Sequence, residues 1–173
     1  MIKTIKCDIF ESGADAILHQ VNCQGVMGSG VAKQVKDRYP LVYEYYKLLC
    51  EDDKKQREKL GISKSMLLGR AQLVYKHDYL IGANYEDVDM QVIVNLFAQD
   101  KYGYNGGLYT DYNALEKSMY QAKQLLRLNA RRSVAIPYKM SCCRGGGDWN
   151  IVMNIINKVF GDDGEFDVMI CER

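Results

Sequence analysis

The chain has 173 residues, which is enough for one domain and short for two. Hydrophobic residues make up 47% and charged residues 26%, a composition that excludes a disordered chain. The formal net charge of +1 lacks the basic excess of general nucleic-acid or membrane-surface binders, so we predict a single domain over residues 1–173 without such partners.

Strand and helix patterns alternate from the start of the chain. In order, the patterns predict strands over residues 3–9 and 15–22, a glycine-rich stretch over 23–30, and helices over 31–38 and 41–60. The first strand is expected to end at Asp8. Pro40 separates the two helices, because the residue before a proline resists the α conformation.

The same alternation continues to the end of the chain. The patterns predict strands over 71–76, 90–97, 133–136 and 166–171, loops over 81–89, 100–109 and 138–147, and helices over 110–129 and 148–160. The strand over 90–97 is apolar nearly throughout, which is typical of a buried parallel strand. The last loop contains the second glycine-rich stretch.

Three of the predicted helices have an expected apolar face. These faces are Tyr45, Leu48 and Leu49 in the second helix, Leu115, Met119, Ala122 and Leu126 in the third, and Ile151, Ile155 and Val159 in the fourth. Together with the alternation of elements, they favour a mostly parallel sheet covered by helices on both faces. Ligands of such sheets bind at the carboxyl ends of the strands, where both glycine-rich loops lie.

The first glycine-rich loop, residues 25–30, lies between a predicted strand and a predicted helix. Its glycines allow backbone N–H groups to approach an anion near the positive end of the helix. The spacing matches neither the phosphate loop of nucleotide kinases nor the dinucleotide signature. A tight structural turn is the alternative, and glycine content alone does not separate the two.

The second glycine-rich loop, residues 141–147, ends in three consecutive glycines, which are costly in folding entropy unless a ligand needs the backbone. Asp148 follows, at the position of a helix N-cap. Two such loops at one sheet edge strengthen the prediction of a nucleotide site.

Several other residues at this edge can contact a nucleotide. Asp8 can accept a hydrogen bond from an exocyclic amino group, or is a solvated turn residue. Asn22 can bridge ribose hydroxyls, or caps the turn. His19 is best interpreted as a satisfied core histidine, and Tyr102 belongs to a loop that can close over the site.

Metal and redox chemistry have little support in the sequence. The six cysteines include no Cys-x-x-Cys pair, and the histidines His19 and His77 lack ligand-like spacing to them. We expect no metal or cofactor, reduced thiols and a cytoplasmic protein without a signal sequence or membrane span. A monomer is the default expectation.

Three stretches of the chain resemble the macrodomain family of ADP-ribose-binding modules. They are Asp8-Ile9-Phe10, the run Val21-Asn22-Cys23-Gln24-Gly25-Val26-Met27-Gly28-Ser29-Gly30-Val31-Ala32, and Ile136-Pro137-Tyr138-Lys139 leading into Gly145-Gly146-Gly147-Asp148-Trp149. The resemblance covers essentially the whole chain and implies a three-layer α/β/α fold around a central mixed, mostly parallel sheet. It is strongest to the branch with terminal ADP-ribose protein glycohydrolases, DNA ADP-ribose-removing antitoxins and ADP-ribose-1″-phosphate phosphatases.

The resemblance also implies roles for individual residues. Asp8 with Ile9 would receive the adenine, and Asn22 would face the distal ribose. The distal ribose and one phosphate would be wrapped by Gly25, Val26, Met27, Gly28, Ser29, Gly30 and Val31. The pyrophosphate would be held by Ser141, Cys142, Cys143, Arg144, Gly145, Gly146 and Gly147.

Two departures from the family pattern affect these expectations. Ser141 and Cys143 stand where glycine is usual, and neither takes positive φ as easily. Gln99 lies nearest the position of the glycohydrolases' catalytic lysine, with Lys101 two residues on, and Gln99 cannot form a Schiff base. Asp148 or Asp100 could instead orient a water, and Asp148 is the preferred general base.

Two functions follow from the resemblance, and a third comes from another class. A hydrolase acting at the distal ribose would use Asp148, Asn22 and Gln99. A non-catalytic ADP-ribose reader would need only the two loops and Asp8. The third alternative is an unrelated small α/β nucleotide binder.

Overall fold

The computed structural model describes residues 1–76, 90–161 and 164–173. The predicted loop over 81–89 and His77 lie outside the described residues. Within them, no helix is long and apolar enough to cross a membrane.

A mixed sheet lies at the centre of the molecule. Its strands are β1 (Ile2–Lys6), β2 (Ala16–Asn22), β3 (Ala71–Tyr75), β4 (Val92–Gln99), β5 (Ser133–Pro137) and β6 (Asp167–Glu172). They lie in the order β1-β6-β5-β2-β4-β3. Only β3 runs antiparallel to its neighbour β4, and the other neighbouring strands pair in parallel. The predicted mixed, mostly parallel sheet is confirmed.

Helices cover both faces of the sheet. They are α1 (Gly30–Arg38), α2 (Pro40–Leu60), α3 (Tyr112–Leu128) and α4 (Trp149–Phe160). One core cluster packs α3 and α4 against the sheet, and the other packs α1 and α2 against the opposite face. This arrangement gives the three predicted layers.

The central strands are the most deeply buried elements. Every residue of β4 is buried, and so is every residue of β2 except Gln20. Burial on both faces explains why these strands are apolar runs rather than alternating patterns. On the α2 side, the ring of Phe97 stacks on that of Tyr46, with centroids 5.8 Å apart.

The apolar faces of the helices were predicted with mixed success. The face of α3 is confirmed, since all four of its predicted residues are fully buried. The prediction for α2 is wrong for Tyr45 and Leu48, which are exposed, whereas Leu49 is partly buried against the core. The residues that α2 buries are Val42, Tyr46, Cys50 and Asp53. Both rows follow the helical period, and packing against the first loop and β4 selects the row that contains Tyr46. In α4, Ile155 and Val159 are buried but Ile151 is exposed.

The predicted end of the first strand is also wrong. β1 ends at Lys6, and Asp8 instead caps a short 3-10 turn over Ile9–Glu11 by accepting the Phe10 N–H at 3.0 Å. A short carboxylate side chain offers the backbone this alternative to continuing the strand.

A polar row crosses the apolar face beneath α2. His19 in β2 donates through Nε2 to Asn95 Oδ1 in β4 at 2.7 Å, and Asn95 Nδ2 donates to Gln72 Oε1 in β3 at 3.0 Å. These pairs also face each other in the strand register. Burial lowers the pKa of His19 from 6.5 to about 4, so the ring is neutral near pH 7.

This pKa predicts a loss of stability in mild acid. His19 takes up a proton at a pKa near 6.5 in the unfolded chain and only near 4 in the folded chain. The neutral ring therefore makes its whole contribution to the free energy of unfolding above pH 6.5, and this contribution is lost as the pH falls towards 4. Between pH 7 and pH 5, urea unfolding should show the wild type losing about 2 kcal/mol more than His19→Gln. Equal losses for the two proteins would contradict a neutral buried His19.

Candidate ligand-binding and active site

The first glycine loop, residues 25–30, is folded around the side chain of Asn22. Asn22 Oδ1 accepts from the backbone N–H groups of Gln24 at 2.9 Å and Val26 at 3.4 Å, and Nδ2 donates to the Val26 carbonyl at 2.7 Å. The buried Tyr46 hydroxyl lies 2.8 Å from the Asn22 carbonyl oxygen and 2.9 Å from Oδ1. The predicted ribose-facing residue thus also shapes the loop.

The first glycine loop has a buried side and a cleft side. Gly25 and Gly30 take the left-handed conformation, with φ of 75° and 60°. Met27 is 2% exposed and anchors the loop in the core. The other side faces a cleft that lies between the two glycine loops. Among the predicted residues here, the cleft is lined by Val26, Gly28, Ser29, Gly30 and Val31, whereas Gly25 and Met27 lie outside its lining.

The N-terminus of α1 differs from those of the other helices at this edge. Asp111 and Asp148 cap α3 and α4 with their carboxylates, but the Ser29 side chain makes no capping hydrogen bond to α1. The first turn of α1, at Gly30 and Val31, lines the cleft. A helix N-terminus of this kind offers backbone N–H donors and a positive dipole end to an anion.

Ser141 shapes the second glycine loop, residues 141–147, through its backbone conformation and its carbonyl group. Ser141 adopts a left-handed φ of 72°, a conformation in which glycine is less strained. Its carbonyl accepts from Gly147 N at 2.9 Å and from Thr110 Oγ1 at 3.2 Å. A Cβ at Gly145 would lie 2.3 Å from Thr110 Oγ1, so this position excludes any side chain.

A cleft of about 280 Å³ lies between the two loops. Gln99 and His19 contribute to its lining, as do Ser141, Cys143, Arg144 and Gly145 of the second loop and Tyr102 of the predicted lid. Tyr104 lies between the two loops. The Arg144 guanidinium carbon lies 4.8 Å from the centroid of its ring, and its hydroxyl lies next to Gly28 of the first loop.

A second cleft, of about 460 Å³, continues the first towards β1. It is lined by Asp8 and Ile9, and it shares Gly30, Val31 and residues 137–139 with the first cleft. The two clefts therefore meet at the N-terminus of α1. The second cleft holds charges of both signs, with the carboxylates of Asp8 and Glu172 beside Lys139 and Arg173, whereas the described lining of the first holds Lys139 and Arg144 and no carboxylate.

Several predicted residues lie outside both linings, namely Cys142, Gly146, Gly147 and Asp148. Asp148 is exposed, and its Oδ1 accepts the Asn150 N–H at 2.7 Å. This is the capping alternative that the sequence left open. Among the described residues, no group of three or more His, Cys, Asp or Glu is arranged to hold a metal ion.

The sequence analysis did not assign Gln20, Thr110 or Lys139 to the site, whereas Tyr104 belongs, like Tyr102, to the loop that was expected to close over it. Gln20 had a signal, because it is a polar residue in a mostly buried strand. Thr110 had none, since its partner Ser141 is distant in sequence, and the contact of Tyr104 with Arg144 was unpredictable for the same reason.

Comparison with known proteins gives partial sequence matches. No protein-family model matches the chain. The DNA ADP-ribosyl glycohydrolase of Mycobacterium tuberculosis is 35% identical over 66 residues, 38% of this chain and 17% of that protein. The ADP-ribose 1″-phosphate phosphatase of Aspergillus fumigatus is 42% identical over 53 residues, 30% of this chain and 26% of that protein. The chain therefore spans only a small part of each relative.

Solved structures match over the whole chain. The macrodomain of Mycobacterium tuberculosis DarG has a TM-score of 0.73 at 22% identity, covering 100% of this chain and 98% of that one. Thermosipho africanus DarTG in complex with ADP-ribose also has a TM-score of 0.73 at 22% identity, covering 98% of this chain and 41% of that one. The structural similarity shows the fold, and at this sequence identity it shows the fold alone.

The anchoring of the first loop by Tyr46 can be tested by removing one oxygen. Tyr46→Phe should lower the free energy of unfolding by about 1–2 kcal/mol, because it removes a buried hydroxyl that donates to the Asn22 carbonyl oxygen at 2.8 Å. Tyr43→Phe is the matched control, since that hydroxyl only reaches the Gly25 carbonyl at 3.3 Å. Chemical denaturation of both variants would reveal the difference; equal effects would show that Tyr46 does not anchor the loop.

Proposed function

We propose that this chain, which has the macrodomain fold, binds ADP-ribose between its two glycine loops and hydrolyses a bond at the distal ribose. The observation that carries the proposal is the joined pair of clefts. A cleft with the Asp8 carboxylate in its lining leads past the α1 N-terminus to a cleft at Gln99 whose described lining has no carboxylate. ADP-ribose has the same order of chemistry: an amino-bearing base, a pyrophosphate and a second ribose.

The adenine would lie in the cleft at Asp8 and Ile9. Asp8 Oδ1 already accepts the Phe10 N–H, and Oδ2 lies 3.5 Å from the Arg38 guanidinium. A carboxylate oxygen has lone pairs for more than one donor, so the adenine amino group can be a further partner.

The pyrophosphate would lie where the two clefts meet. The α1 N-terminus offers backbone donors there, and Lys139 and Arg144 supply positive charge. The second glycine loop would close over the same phosphates. Gly145 allows the close packing of this loop against Thr110.

The distal ribose would lie in the first cleft, near Asn22, Gln99 and Tyr102. Hydrolysis there breaks the bond from C1″ to the departing group. Water supplies a hydroxyl to C1″ and a proton to the departing group, and no cofactor is required. The partial matches to a DNA ADP-ribosyl glycohydrolase and an ADP-ribose 1″-phosphate phosphatase support this reaction class.

The general base has two candidates. Asp148 remains our prediction from the sequence, although its carboxylate caps α4. His19 borders the first cleft, and its Nδ1 has no hydrogen-bond partner among the described residues. Burial disfavours the protonated ring and lowers its pKa to about 4, so His19 is the weaker of the two candidates. A non-catalytic reader remains the alternative function, because binding needs neither group. The monomeric state and cytoplasmic location expected from the sequence stay predictions.

Binding can be measured by calorimetric titration with ADP-ribose. The wild type should release heat, and Asp8→Ala should bind at least about tenfold more weakly, because it loses a charged acceptor. Asp8→Asn keeps an oxygen to cap the turn, so it separates turn stability from recognition of the amino group. No heat from the folded wild type would exclude the proposed ligand.

Turnover can be measured on a panel of ADP-ribosylated DNA, ADP-ribosylated protein and ADP-ribose 1″-phosphate. Free ADP-ribose should be released from at least one of them; three intact substrates would favour the reader. Asp148→Asn should lower the rate about 100-fold if Asp148 is the base, while preserving the helix cap. An unchanged rate would remove Asp148 from the mechanism, and loss with His19→Gln would then assign the role to His19.

A further inference from the structure

Gln20 connects four separate segments at the floor of the first cleft. Its Nε2 donates to Gln99 Oε1 at 2.7 Å and to Thr110 Oγ1 at 3.0 Å. Its Oε1 accepts from the Ser141 hydroxyl. The side chain therefore ties β2 to the end of β4, to the segment before α3 and to the second glycine loop.

Two backbone carbonyls set the direction of these hydrogen bonds, because a carbonyl can only accept. Gln99 Nε2 lies 3.3 Å from the Lys101 carbonyl and must donate to it, which turns Gln99 Oε1 towards Gln20. Gln20 must then present Nε2 to Gln99 and Oε1 to Ser141. A reversed Gln99 amide would place two acceptors against each other at Lys101.

The other end of the network requires the same direction. The Ser141 carbonyl accepts from Thr110 Oγ1 at 3.2 Å. The Thr110 hydroxyl donates its one proton to the Ser141 carbonyl, so its oxygen can only accept from Gln20 Nε2. Both ends of the network thus assign the same orientation to the Gln20 amide.

We infer that Gln99 is a fixed N–H donor for an oxygen of the distal sugar and that Gln20 is the positioning residue that holds it in this state. The inference rests on the proposed placement of ADP-ribose. Gln99 borders the cleft and its carbonyl oxygen is occupied by Gln20. Its second N–H has no acceptor among the described residues. Gln99 therefore contributes neither a base nor a nucleophile.

An uncharged donor at this point suits a sugar hydroxyl or ring oxygen better than a phosphate. The charged groups of the first cleft are Lys139 and Arg144, on the second-loop side. ADP-ribose and ADP share the adenosine and the two phosphates but differ in the distal ribose. A donor to that ribose discriminates between the two ligands, whereas a residue that merely supports the groove does not.

The test is calorimetric titration of the full chain with ADP-ribose and with ADP. Gln99→Met, which keeps the side-chain length and removes the donor, should weaken ADP-ribose binding about five- to tenfold and leave ADP within twofold. Gln20→Met should act in the same direction. The double variant should show the same ratio of ADP-ribose to ADP affinity as Gln99→Met, because Gln20 acts on the ribose through Gln99, while a loss through its bonds to Thr110 and Ser141 falls on both ligands alike. Gln56→Met, on the exposed face of α2, is the matched control and should leave both affinities unchanged.

Equal losses for ADP-ribose and ADP would overturn the inference in favour of a structural role, and so would unchanged ADP-ribose binding by Gln99→Met. A wild type that binds neither ligand would instead defeat the proposed function. A measurement on the wild type avoids any folding defect of the variants. The Gln99 side-chain amide protons should shift in NMR spectra on saturation with ADP-ribose and not with ADP; unmoved resonances would overturn the assignment.

Discussion

The candidate site depends on the parallel pairing of five neighbouring strands, β1, β6, β5, β2 and β4. Parallel neighbours end at the same edge, so the loops that follow β1, β2, β4 and β5 converge although they are far apart in sequence. The antiparallel β3 lies at the outer edge of the sheet and leaves this convergence intact. The buried strands β2 and β4 make the edge rigid, because their residues are packed on both faces. A cleft of defined shape can then be assembled from loops without regular structure.

The sequence predicted the parts of the fold that are set by local pattern. The apolar runs of β2 and β4 and the face of α3 were recognisable, because burial on both faces of a strand or one face of a helix leaves a clear periodicity. It did not predict which face of α2 is buried, since two rows, one with Tyr45 and one with Tyr46, follow the helical period equally well. Only the neighbouring elements distinguish them. The direction of β3 likewise has no local signature, because its pattern is compatible with either pairing.

In the candidate site, too, the sequence predicted the features that have a local pattern and not those that depend on distant contacts. The glycine loops were predicted from composition and position, whereas the network around Gln20 joins residues 79 to 121 positions apart in the chain and was not. Residues with two plausible roles were the hardest to interpret. Asn22 shapes the loop with the same amide that was expected to face the ribose, and the Asp148 carboxylate caps α4. Short polar side chains at strand and helix ends serve backbone and ligand through the same atoms, so the residue type cannot separate the roles.

The start of α1 at Gly30, where the Ser29 side chain makes no capping hydrogen bond, has a practical consequence for work with the purified protein. Donors of this kind attract small inorganic anions as well as nucleotide phosphates. Sulfate or phosphate in a buffer would compete with a nucleotide for α1, and would raise the melting temperature by an amount that grows with the logarithm of the anion concentration once the site is filled. Apparent affinities would then depend on the choice of buffer salt, and chloride-based or zwitterionic buffers would give values closer to the intrinsic ones.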